Sequence, residues 1–519
     1  IDQVETEGVD FSALENLVPE EYASHWQISL DFFRIITANW AGVLAAEGCL
    51  DPADRRNRLI EAQAASWRQK HPPGPVIAAG STGSIPATAE LLGVVASLPQ
   101  GAVILPGLDR HMDDESWAVL ASKSESAATH PQYGLARLLA RLGVCRTDVR
   151  DWEDVAKVEK NSKNPSTQPR LQLLSQLMRP AETSMAWAGS PPPADEALKG
   201  LSRIECPGPR EEAGVIALLL REALETPGKR AALITPDRGL ARRVAAEMKR
   251  WGVDMDDSAG SALSLTPPGI FLRLTAEMAA AACEPVPLLA VLKHPLACGG
   301  ESAGAFRGRV RRLEEAVLRG VRPREGFDGL LAALEGDEKQ KDLSKWLQQL
   351  AVMAAPFMEV FSRREVPLET LLRAHLDFAE ALAGDGDEPG VARLWRGEAG
   401  LVAADFIAEL FDAADGFAPL DPAHYPAFLD ALMAGRPVRP RYGRNNRLFI
   451  WGLMEARMQK VDLAILGGLN EESWPARIQA DPWMSRPMRA RFGLSSSERR
   501  VGLSAHDFIQ AFAAQEVVM

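Results

Sequence analysis

Short runs of unbroken apolar residues stand on both sides of a long helical block. This interruption constrains the fold more than any other feature of the sequence. "RAALITP" (230–236) precedes the block, and "LFIW" (448–451) and "LAILGG" (463–468) follow it. Apolar runs this short, bounded by turn residues, are the pattern of strands buried on both faces of a parallel sheet. Residues 271–439 between them read as helical, as in "EPVPLLAVLKHPLA", "AFRGRVRRLEEAVLRG" and "PLETLLRAHLDFAEALAG". The strands after the block are expected to complete a sheet begun at "LSRIECP" (201–207). Two helices alternate with its early strands, "REEAGVIALLLREALE" (210–225) and "DRGLARRVAAEMKRWG" (237–252). Asp237 caps the second and Gly252 closes it. "VDMDDSAGSALSLTPPG" (253–269) reads as a loop with one short strand.

An earlier α/β unit precedes this core. "PVIAAGS" (75–81) reads as a short buried strand, "IPATAELLGVVASLP" (85–99) as a helix and "GAVILPGLD" (101–109) as a second strand. Strand–helix–strand with short connections predicts a parallel pair, and ligands bind at the carboxyl ends of such strands. Residues 10–70 read as helices, one starting at Asp51 as N-cap with Pro52 in its first turn. "HPQYGLARLLARLG" (130–143) is a further helix, "EKNSKNPSTQP" (159–169) a mobile loop and "GSPPPADE" (189–196) a linker.

At 519 residues the chain exceeds a single core, and roughly three or four domains is the prior. No apolar run is long enough for a membrane span, and the acidic start lacks a signal-peptide pattern. That start also lacks an initiator Met, and the expectation is a piece of a longer chain. Five scattered cysteines include no CxxC clip, and the eight histidines include no HExxH. The expectation is reduced, mostly buried thiols, no metal site and a cytoplasmic location. A net charge of −12 excludes a surface coated for phosphate binding, but leaves room for a local basic groove. Arginine clusters in "RPVRPRYGRNNR" (436–447), with five Arg and no acid, and in 307–324, with seven Arg against two Glu.

A split α/β core, a helical insertion and an earlier α/β unit together resemble a superfamily 1 DNA helicase. "GSTGSIPATAELL", "GAVILPGLD", "TPDRGLARRVAAE", "LKHPLA", "WGLMEAR", "ILGGLNEESWP", "DPWMSRPMRARFGL" and "RRVGLSAHDF" narrow the match. Together they look like the AddB-type subunit, in its alphaproteobacterial form, of the AddAB double-strand break repair helicase–nuclease. The resemblance runs from about residue 10 to 519. It implies two RecA-like parallel-sheet lobes with helical insertions. The first lobe would cover 1–195, the second 200–270 with 440–519, and the helical insertion 271–439. It also implies an AddA-type partner supplying the active motor, and a C-terminal nuclease domain with an iron–sulfur cluster that is not in this chain.

The residues a motor needs are not in the pattern. No GxxxxGK followed by Ser or Thr occurs in the sequence. The strand 75–81 offers Ala79, Gly80 and Ser81 where Mg²⁺ would need a carboxylate pair. Asp109, after the next strand, reads as a loop cap. In "WGLMEAR", Gly452 and Leu453 suit a backbone turn, the hydroxyl and lysine of active helicases are missing, and Arg457 is expected to pair with Glu455 or a neighbour. The expectation is a core that hydrolyses no ATP, carries no cofactor and binds single-stranded or unwinding double-stranded DNA.

The candidate DNA-binding residues each have a structural alternative. Asn470 and Trp474 sit on a strand-end loop, where an exposed Trp stacks a base for about 1–3 kcal/mol. Otherwise Trp474 packs under "DPWMSRPM". Arg436, Arg439, Arg441, Arg444 and Arg447 either neutralise phosphates or form a solvated basic loop. Arg238, with Arg242 and Arg243, reaches a phosphate or pairs with acids. Lys293 and His294 contact DNA or cap a helix C-terminus. An active ATP-dependent helicase and a protein-only scaffold are the competing readings.

Overall fold

The computed structural model describes residues 1–16, 23–121, 126–150, 167–439 and 445–519. The chain divides into two compact units, Ile1–Ser258 with Arg444–Met519, and Ala259–Gly443. The loop expected at 159–169 falls largely outside the described residues.

The first unit is α/β and is built on a six-stranded, wholly parallel sheet. Two strands precede that sheet in the chain, β1 (Val76–Ala79) and β2 (Gly101–Ile104), and they pair with each other in parallel. The larger sheet contains β3 (Leu201–Ser202), β4 (Ala231–Ile234), β5 (Asp256–Asp257), β8 (Leu448–Trp451), β9 (Leu463–Leu466) and β10 (Glu516–Val518). Its order is β3-β10-β9-β4-β8-β5. The apolar runs on either side of the helical block are thus direct neighbours, with Leu233 opposite Ile450 on one side and Ile465 on the other.

Alternation along the central strands explains why every residue in them is apolar. Ala231, Leu233, Leu448, Ile450, Leu463 and Ile465 face the helices Pro209–Glu225 and Arg238–Arg250 through Ile216, Leu220, Leu240 and Val244. Ala232, Ile234, Phe449, Trp451, Ala464 and Leu466 face the opposite way, onto Leu174, Phe512 and Trp474. Both faces are covered, so a polar residue in either set would be buried without a partner.

The chain path follows from crossover handedness. The steps β3 to β4 and β4 to β5 advance in one direction and carry their helices on one face. The step β9 to β10 runs back, and its helix Arg499–Phe512 covers the other face, as right-handed connections require.

The β1–β2 pair departs from expectation. Ile77 is 58% exposed, so the strand expected to be buried has one open face. The helix Pro86–Ser97 between the two strands is as expected. Asp51 caps the helix Pro52–Gln69 by accepting from the Ala53 N–H at 2.8 Å. The strand expected over 201–207 forms only at Leu201–Ser202. All five cysteines are unpaired, but only Cys283 and Cys298 are buried, which corrects the expectation of mostly buried thiols.

The second unit is helical. It opens and closes on an antiparallel pair, β6 (Ser261–Ala262) and β7 (Pro437–Val438). Its core gathers Phe271, Phe306, Trp346, Phe357 and Tyr425 from helices spread along the whole segment. No described helix is long and apolar enough to cross a membrane.

Candidate nucleic-acid interface

The switch point of the six-stranded sheet lies between β4 and β9, whose onward connections diverge to opposite faces. Ligands of open parallel sheets bind in that crevice. After β4 the chain runs through Thr235, Pro236 and Asp237. Thr235 is fully buried and its Oγ accepts the Asp237 N–H at 3.1 Å. The Asp237 carboxylate accepts the N–H groups of Gly239 (2.7 Å) and Leu240 (3.1 Å), capping the next helix.

After β9 come Gly467, Gly468, Leu469 and Asn470. A Cβ on Gly467 would stand 2.8 Å from Leu233, 2.9 Å from Leu240 and 3.2 Å from Ile216, so the turn needs glycine to close against the helices. Gly468 has φ +74° and donates its N–H to Glu212 Oε1 at 2.7 Å. A carboxylate from helix Pro209–Glu225 therefore occupies the donor that an anion would otherwise meet.

Beside this turn opens a cleft of about 490 Å³, lined among others by Arg203, Glu205, Glu212 and Asn470. Arg203 pairs with Glu205. Two acids against one arginine leave no surplus of positive charge, so the cleft does not suit phosphate. Asn470 is exposed at its edge, with its carbonyl accepting from Ser473 (3.0 Å) and Trp474 (3.2 Å).

The other candidates are mostly engaged elsewhere. Trp474 is only 6% exposed, which corrects the expectation of an open stacking platform. Its ring meets Phe508 edge-on at 5.9 Å and its Nε1–H donates to the Ser504 carbonyl at 3.3 Å. The covering element is the helix Arg499–Phe512, not the segment "DPWMSRPM". Arg238 pairs with Asp257. Arg447 donates to the carbonyls of Leu224 (3.5 Å) and Thr226 (3.3 Å), at the C-terminus of a helix and the amino end of β8, away from the crevice. This makes it a helix-capping cation rather than a free phosphate ligand.

Lys293, His294, Arg436 and Arg439 belong to the other compact unit, so the ten candidates do not gather into one site within either unit. Lys293 pairs with Glu314 at 2.5 Å. His294 is buried against Phe271 at 5.1 Å, and burial lowers its pKa to about 4, so it carries no charge near neutrality. That corrects its expected role as a cationic contact. Arg436 pairs with Glu409 and lies 5.8 Å from the Phe406 ring. Arg439 is exposed and has no ion pair among the described residues. Arg441 and Arg444 lie outside the described residues.

Two arrangements escaped the sequence reading. Arg457 pairs with Asp507 through Nε (2.6 Å) and Nη2 (3.2 Å), both groups nearly buried, instead of with Glu455. Burial outweighs the arginine and raises the Asp507 pKa. The second is a cavity of about 600 Å³ in the first unit, which carries arginines from stretches far apart in sequence. The arginines of "DPWMSRPMRARFGL" and "RRVGLSAHDF" are its visible signal, motifs that carry the family resemblance, while the serines between them carry none in the sequence. Asp109 is a loop cap as expected, accepting from His111 (2.8 Å) and Met112 (3.0 Å). No protein-family model matches this chain, and a search of curated proteins finds no match for it.

Proposed function

We propose that this chain is a helicase-like core that hydrolyses no ATP. It binds single-stranded DNA and docks an AddA-type motor in cytoplasmic double-strand break repair. The reading takes the six-stranded sheet as the second RecA-like lobe and the β1–β2 unit as part of the first. The observation that carries it is the parallel sheet split by a helical insertion, with a glycine turn at its switch point whose amide is bound by Glu212. A motor-type architecture with its anion donor internally satisfied, in a sequence without a phosphate loop, supports a role in binding without nucleotide chemistry.

The test is fluorescence anisotropy of a labelled dT20 with the purified chain, beside an ATPase assay. Neutralising three phosphates of a single strand predicts an affinity about twenty-fold lower at 200 mM than at 50 mM salt. No ATP turnover is expected. Mg²⁺-dependent turnover would favour an active helicase, and no retention of dT20 at low salt would leave a protein-only scaffold.

A further inference from the structure

The strongest unassigned feature is the 600 Å³ cavity of the first unit. Its walls come from the loop after β1, the helix Tyr133–Leu142 and the segment 486–499. Five arginines line it: Arg137, Arg141, Arg486, Arg489 and Arg499. Only two carboxylates share the lining, Glu7 and Glu498.

The carboxylates are already committed. Glu7 accepts the Ser495 N–H (2.7 Å) and hydroxyl (2.6 Å), which anchors the wall. Glu498 pairs with Arg486 at 2.5 Å. Arg489 is 6% exposed and pairs with Asp481, behind the lining, while its Nε is buried without a partner among the described residues. Arg499 donates Nη2 to the Ser84 carbonyl at 2.9 Å, and its buried Nε is likewise unpartnered. Arg137 donates to the Tyr133 hydroxyl at 3.1 Å and lies 5.7 Å from the centre of its ring. Among the described residues Arg137, Arg141 and Arg499 have no carboxylate partner. Burial, and the like charge of Arg137, hold the Arg499 pKa below the usual arginine range, against the pull of Glu7 and Tyr133.

Arg499 is partly buried without a carboxylate partner, a cost that an anion offsets, and the exposed Arg137 and Arg141 extend the positive lining at the mouth. Neutral donors face the same space. The hydroxyls of Ser84 and Ser497 have no partner among the described residues, and the helix Pro86–Ser97 begins here with no side-chain cap. Planar guanidinium groups with hydroxyl and helix N–H donors are the chemistry that receives phosphate. The volume falls in the range of small-ligand pockets.

We infer that this cavity binds a phosphate-bearing ligand with at least two negative charges, held by Arg137, Arg141 and Arg499 beside Ser84 and Ser497. A strand of nucleic acid and a free phosphate compound present the same chemistry. The inference stands apart from the proposed DNA function, because a cavity that takes only small phosphate compounds satisfies it equally.

The experiment is calorimetric titration of the whole chain with inorganic pyrophosphate, followed by competition with dT10. Wild-type protein is expected to bind one pyrophosphate per chain. Arg137 and Arg141 are exposed, so the R137A/R141A double variant keeps its circular dichroism and thermal midpoint. It is expected to bind pyrophosphate at least about ten-fold more weakly. Arg363→Ala, in the other unit and paired there with Glu359, leaves binding unchanged. Displacement of pyrophosphate by dT10 assigns the cavity to a strand, and its absence to a free phosphate compound. Pyrophosphate binding without any dT10 binding keeps the cavity and removes the DNA function. No binding of pyrophosphate by folded wild-type protein, or full affinity in the double variant, overturns the inference.

Discussion

His375 is fully buried in the helical unit, stacked on Phe357 at 5.0 Å, and yet every polar atom around it is satisfied. The Tyr425 hydroxyl donates to Nδ1 (3.0 Å), and Nε2–H donates to Thr275 Oγ1 (2.7 Å). Thr275 in turn shares its one hydroxyl proton between the carbonyls of Phe271 and Leu272 (2.9 Å each). This chain of donors fits neutral imidazole, and burial pulls the His375 pKa down to about 3. Burial likewise lowers His294 and His506 to about 4, with Arg457 adding to the shift at His506. In the unfolded chain each protonates near pH 6.5. Below that pH the unfolded state takes up protons the folded state refuses, so stability falls as pH falls. The slope reaches about 1.4 kcal/mol per pH unit for each histidine until the folded group itself titrates. Urea denaturation at pH 7.5 and 5.5 should show the wild type losing about 1 kcal/mol more than His375→Gln over that interval. Equal losses would remove His375 as the source. A sequence shows eight histidines but not which of them are enclosed, and for the same reason it misplaced His294. Enclosure depends on helices that arrive from elsewhere in the chain.

At the scale of elements, the strands with four apolar residues were legible because burial on both faces removes the alternation of ordinary surface strands. β10 was not legible. "EVV" is short, follows directly on a helix, and becomes a strand only because β3 and β9 leave a slot between them. The covering of Trp474 was hidden in the same way, since Phe508 and Ser504 reach it from a helix placed by the β9-to-β10 crossover. The glycine turn after β9 was visible, but its purpose was not. Gly467 → Ala places a methyl against Leu233, Leu240 and Ile216, all buried in one packed cluster with little room to shift. The expected cost is about 1–3 kcal/mol, read as a lower midpoint in chemical denaturation with an unchanged slope. Gly468 → Ala acts through its positive φ instead, and destabilises by about 1 kcal/mol or more.

For the molecule as a whole, the sequence located the helical block but not the site. The block announces itself by a change from short unbroken apolar runs to a period of about 3.6 residues over a long segment. The arginine cavity announces nothing comparable, because its walls are short stretches that only the folded first unit brings together. The same topology makes the helical unit separable. Ser261 pairs with Val438 in antiparallel register, so the segment leaves and re-enters at neighbouring points, with Cα atoms about 5 Å apart. Its aromatic core is supplied entirely from within that segment. A chain of residues 259–439 should therefore fold alone, with a helical circular dichroism spectrum and one cooperative thermal transition. Joining Gly260 to Arg439 through a short glycine–serine link should in turn leave the parallel sheet able to form, because closing so small a gap costs little chain entropy. If the isolated segment melts without cooperativity, its core draws on the rest of the chain, and the helical block is a part of one domain instead of an insertion into it.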